Sequence, residues 1–96
     1  MRVLVADDHD LVRETIAAFL EREGFDEVRM ASTLDEALAA TKASGAFDLV
    51  LIDYDMPGMN GLEGLKRMMQ ANGGNPVALM SGAASTTRRM ASTPLG

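Results

Sequence analysis

Apolar positions run along this chain in two alternating rhythms. Three short stretches are apolar without interruption: Val3-Leu4-Val5-Ala6, Leu49-Val50-Leu51-Ile52 and Val77-Ala78-Leu79-Met80. Continuous runs of this kind predict strands buried on both faces, as in a parallel sheet. A weaker strand is predicted from about Glu27 to Met30. Between the runs the apolar residues space out to a helical period. Val12, Ile16, Phe19 and Leu20 form one stripe, which predicts a helix from Leu11 to about Glu23 with Asp10 as N-cap and Gly24 as stop. Thr33-Leu34-Asp35-Glu36 reads as a capping box, opening a helix that packs through Leu34, Ala37 and Leu38. Asn60 and Glu63 read as a second cap pair, before a helix with Leu62, Leu65 and Met69 on one face. Asn72-Gly73-Gly74-Asn75-Pro76 is turn chemistry, and a last short helix is predicted from about Ser85 to Ala91. Strand and helix patterns alternate, so the expected class is α/β with βαβ units and a parallel sheet.

Composition narrows this picture. The chain has 96 residues, enough for one small domain, and 47% of them are hydrophobic, enough for a core. There is no cysteine, which rules out a disulfide framework and a thiolate metal site. No apolar run approaches the roughly 20 residues of a membrane span, and a strand pattern begins at once with no leader pattern before it. A soluble, cytoplasmic domain is expected. A formal net charge of −5 argues against direct binding of nucleic acid.

The chemistry gathers where strands end. The first strand runs into Asp7-Asp8, and the strand after Leu49 ends at Asp53. Ligands of open α/β sheets sit outside the carboxyl ends of the strands, so these acids should converge on one pocket. Such a pocket suits a hard divalent cation, and Mg²⁺ binds through one or two carboxylates plus phosphate oxygens and water. Asp8 and Asp53 are the expected side-chain ligands, with Asp7 hydrogen-bonding a metal-bound water. The Asp53 carboxylate is the expected nucleophile toward a phosphoryl group, becoming an acyl phosphate. In Met56-Pro57-Gly58, Pro57 fixes φ and Gly58 permits φ > 0, which predicts a type II turn. His9, the only histidine, is expected in a loop beside the pocket. The eight methionines are expected mainly as core filler, the other reading of Met68-Met69 being an exposed partner surface, and Arg88-Arg89 is expected as a solvated helix face.

Asp7-Asp8-His9 after the first strand, Asp53-x-x-Met56-Pro57-Gly58-Met59-Asn60-Gly61 after the third, Ser81 after the fourth, and the spacing between them resemble the receiver domain of bacterial two-component response regulators. The likeness covers nearly all of the chain and is greatest to receivers that precede helix-turn-helix output domains. It implies a flavodoxin-like, doubly wound sheet of order 2-1-3-4. The family's fifth strand, its lysine and its last helix have no counterpart within the 96 residues, so the domain is expected to be incomplete at its C-terminus. The resemblance further implies Mg²⁺-dependent transfer of a phosphoryl group from a sensor histidine kinase to Asp53. It implies that the Asp55 backbone carbonyl is the third protein ligand and that the Ser81 hydroxyl contacts the phosphoryl group. A missing neighbour strand leaves the Val77 to Met80 edge open, and a homodimer across that edge is expected.

Two other readings stand beside this one. One is a truncated, non-signalling receiver that serves only as a dimerisation or docking module. From a different class, Asp53-x-Asp55 echoes the paired aspartates of haloacid-dehalogenase-type phosphohydrolases, although that motif normally follows the first strand, and the small residues expected after it are replaced here by Met56-Pro57.

Overall fold

In the computed structural model the described residues are 1–80, and they form an α/β fold. Four strands, β1 (Arg2–Ala6), β2 (Glu27–Ala31), β3 (Leu49–Asp53) and β4 (Val77–Met80), alternate with three helices, α1 (Asp10–Arg22), α2 (Leu34–Ser44) and α3 (Leu62–Ala71). All strand pairs are parallel and the order is β2-β1-β3-β4. The expected strand order and class are therefore found. The helix expected from about Ser85 to Ala91 lies outside the described residues, as does Ser81.

Alternation along the strands divides the core into two layers. Leu4, Ala6, Val50 and Ile52 point to one face, where they join Leu34, Ala37, Phe47, Met56, Met59 and Met68 beneath α2 and α3. Val3 and Val5 point to the other face and pack with Leu20 of α1. The first layer is the larger. On the α1 side, Ile16, Leu49 and Leu51 are only partly buried.

Helix orientation departs from the expected stripes. In α1 the buried residues are Ala17 and Leu20, while Val12 and Phe19 are 44% and 57% exposed. Small Ala17 lets the helix approach the sheet, which turns the larger side chains outward. In α3 the buried residues are Gly64 and Met68, whereas Leu62 and Met69 are 58% and 48% exposed. The buried face is rotated by one residue from the expected one, and Met68 belongs to the core. His9, not Asp10, caps α1, and without a side-chain bond. At α2, the Thr33 hydroxyl accepts from the Glu36 N–H at 3.1 Å as expected. The Glu36 carboxylate, however, accepts from the Ser32 N–H and hydroxyl at 2.8 and 2.9 Å, one residue earlier than a capping box requires. Asn60 donates to the Glu63 side chain at 2.9 Å, but Gly61 is the N-cap and Asn60 itself has φ 51°.

Behind α3, buried Asn72 ties two segments together. Its amide oxygen accepts from the Phe47 N–H at 2.7 Å and its nitrogen donates to the Phe47 carbonyl at 3.1 Å. Nothing in the residue pattern separated this asparagine from its turn-forming neighbours. Its burial places Phe47 at the base of β3, the strand that carries Asp53.

Candidate functional site at the carboxyl ends of the strands

Register brings the acids together. Ala6 of β1 pairs with Ile52 of β3, so the next residues, Asp7 and Asp53, stand level at the edge of the sheet. Both are buried, Asp7 at 2% exposure and Asp53 at 0%. Asp8 and His9 follow in the exposed link to α1. One ligand atom from each of Asp7, Asp8, His9 and Asp53 falls within 4.8 Å of the others. The converging pocket expected from the sequence is present, and it could hold a metal ion.

His9 is part of the cluster, not merely beside it. Its Nδ1 lies 2.9 Å from Asp7 Oδ1, 3.3 Å from Asp8 Oδ1 and 3.8 Å from Asp53 Oδ2. The same Asp7 oxygen accepts the His9 backbone N–H at 2.8 Å. The hydrogen bond to Asp7 raises the pKa of the imidazole above its ordinary value, helped by the charges of Asp8 and Asp53. A periodicity argument does not find this contact. His9 has an extended backbone (φ −93°, ψ 108°) just ahead of α1. Arg13, one turn on, donates to the Asp7 carbonyl at 2.9 Å and to Asp10 at 2.7 Å, fixing the start of the helix beneath the pocket.

Asp53 has two unlike oxygens. Oδ1 accepts the Asp55 N–H at 3.1 Å. Oδ2 is buried and has no hydrogen-bond partner among the described residues. Burial raises the pKa of this carboxyl, and the charges of Asp7, Asp8 and Asp55 add to the rise, while the Asp55 N–H opposes it. A buried carboxylate oxygen without a donor is costly, and it faces the other acids. The three carboxylates, one of whose oxygens is uncompensated, suit a hard divalent cation.

The loop after Asp53 is tightly built. The Met59 N–H bonds the Met56 carbonyl at 3.2 Å, and Gly58 has φ 93°, the turn expected for Pro57-Gly58. The Pro57 carbonyl accepts the Leu34 N–H at 3.1 Å, so this turn also satisfies the first turn of α2. At the strand ends, the Tyr54 N–H bonds the Met80 carbonyl at 2.9 Å, which holds β4 level with Asp53. The Asp53-x-Asp55 pair is divided: Asp53 is buried and Asp55 is exposed. Lys42, Lys66 and Arg67 are exposed on α2 and α3.

Comparison with known proteins agrees with this geometry. The family described as response regulator receiver domain matches over residues 3–96. The glycerol metabolism activator of Pseudomonas putida is 40% identical over 82 residues, a match taking in 83% of this chain and 37% of that protein. This chain thus spans little more than a third of that relative. The chemotaxis protein CheY4 of Vibrio cholerae superposes with a TM-score of 0.73 at 31% identity, covering 88% of this chain and 70% of that one. A LuxR family DNA-binding response regulator from Silicibacter pomeroyi superposes at 0.68 with 34% identity, covering 82% and 62%. The dehalogenase-type reading gives way to these matches. With its 2-1-3-4 sheet and its acids at the strand ends, the chain belongs to the response regulator receiver domain family, the signalling domains of two-component systems.

Proposed function

We propose that this domain is a phosphorylation-controlled switch in which Asp53 accepts a phosphoryl group from a sensor histidine kinase or a small phosphodonor, with Mg²⁺ held by Asp7, Asp8, Asp53 and the Asp55 backbone carbonyl. The observation that carries it is the buried, unpartnered Oδ2 of Asp53, aimed among the other carboxylates. Bound Mg²⁺ supplies charge neutralisation, which lets one anion approach another. The chain's own residues do the rest. The Asp55 N–H holds the carboxylate in place through Oδ1, and the Asp53 carboxylate is the nucleophile. One of its oxygens forms the new O–P bond while the donor's P–N or P–O bond breaks and the leaving atom keeps the electron pair. The expulsion of water by burial around Asp53 strengthens each of these interactions.

Ser81 is assigned the hydroxyl contact to the phosphoryl group from its place directly after β4. The domain turns over no external substrate and catalyses only its own phosphorylation and dephosphorylation. A cytoplasmic location goes with this reading, since ATP-derived phosphoryl groups are available there. A homodimer across the β4 edge is the assembly proposed with it. The alternative of a docking module without phosphoryl chemistry lacks an account of the orphaned Asp53 oxygen.

The test is direct. Incubation with acetyl phosphate and Mg²⁺ should add one phosphoryl group, visible by intact mass and removed by hydroxylamine. Asp53→Asn should add none. An adduct that persists in that variant, or one located on His9, overturns the assignment.

A further inference from the structure

His9 turns an all-oxygen pocket into one with a nitrogen donor. We propose that His9 Nδ1 is a direct ligand of the cation held in this pocket, and that it shifts the site's preference from Mg²⁺ toward a borderline transition-metal ion of the Fe²⁺, Co²⁺ or Zn²⁺ class. The inference rests on the metal site proposed above and concerns which ion that site selects.

Geometry carries it. Two neighbouring ligand atoms of an octahedral ion bound at about 2.1 Å stand about 3.0 Å apart. Nδ1 lies 2.9 Å from Asp7 Oδ1 and 3.3 Å from Asp8 Oδ1, close to that edge length. Asp53 Oδ2, at 3.8 Å from Nδ1, is a little wider and is the oxygen that lacks a hydrogen-bond partner. A ring nitrogen placed among three carboxylate oxygens is therefore placed as a ligand would be. Metal binding needs Nδ1 free of a proton, so the metal takes the position a proton would otherwise hold. Imidazole favours Fe, Co, Ni, Cu and Zn, whereas Mg²⁺ keeps to oxygen and holds several waters. Ring access is not limiting, since His9 is 52% exposed. The backbone N–H of His9 bonds to Asp7 independently of the ring, so removal of the ring leaves the loop anchored.

Separate calorimetric titrations of the full chain with Co²⁺ and with Mg²⁺, each repeated on His9→Ala, decide the matter. His9→Ala should weaken Co²⁺ by at least the roughly tenfold that even an outer partner of a metal ligand is worth, and leave Mg²⁺ unchanged or tighter. Proton NMR gives a second readout. His9 is the only histidine, so its ring protons should show a large paramagnetic shift with Co²⁺ without ambiguity of assignment. Equal effects of His9→Ala on both ions, or an unshifted ring, overturn the inference. If Mg²⁺ binds and Asp53→Asn removes that binding, the metal site survives such an outcome. If Mg²⁺ does not bind the wild-type chain, the metal site falls and the inference with it.

Discussion

One missing Cβ lets α3 pack against the loop that follows Asp53. Gly64 sits in the first turn of α3 against the Met59 carbonyl, which accepts its N–H at 2.7 Å. A Cβ built there would stand 2.6 Å from the Met59 Cα and 2.8 Å from its carbonyl carbon. Both are backbone atoms of the loop that descends from Asp53 and cannot step aside. Gly64→Ala should therefore destabilise the domain by about 2 kcal/mol through overpacking, despite the better helix propensity of alanine. Urea unfolding checks this, and an unchanged or stabilised variant would show that the loop yields. The acids were legible in the sequence because a strand that ends in carboxylate fixes both position and chemistry. Gly64, Asn72 and the inward turn of His9 were not, since each depends on a neighbour distant in sequence or on a backbone angle that composition does not encode.

Among the elements, α2 has the best-defined start, and it carries a pH dependence. The Glu36 pKa is lowered from its ordinary 4.5, chiefly by the Ser32 N–H and then by the Ser32 hydroxyl. A carboxylate with a depressed folded-state pKa contributes stability above the unfolded value and loses it as pH falls through the folded one. Glu36→Gln should thus lower the melting temperature near pH 7, and the gap from wild type should close as pH drops below 4.5 toward the lowered folded value. Thermal melts across that range measure it, and a gap constant down to pH 3 would mean that the contact is not ionic in origin. At this scale the sequence located every helix among the described residues and the inward face of α2, but it misjudged that of α3 and half of the α1 stripe. Periodicity weights the largest apolar residues, here Phe19 and Met69. Packing instead favoured small Ala17 and Gly64, which let the backbones approach, and exposed apolar residues are in any case ordinary on protein surfaces.

For the whole molecule, the sheet's two edges differ. β2 is an edge flanked by charge, with Arg29 and Glu27 pairing at 2.8 Å across its surface. β4 is apolar throughout, and among the described residues it pairs only with β3. Leu79 is 42% exposed on the side of α3, and on the α1 side Leu49 and Leu51 are only partly covered. An apolar edge with free N–H and C=O groups is a template for another strand, and a self-complementary edge suits a two-fold pair. The chain should therefore dimerise through β4 at micromolar concentration. Light scattering should give twice the monomer mass, and Leu79→Lys, which charges that edge, should return it to the monomer without loss of helical circular dichroism. A wild-type monomer with a cooperative melt would refute the dimer and would mean that the β4 edge is covered within the same chain.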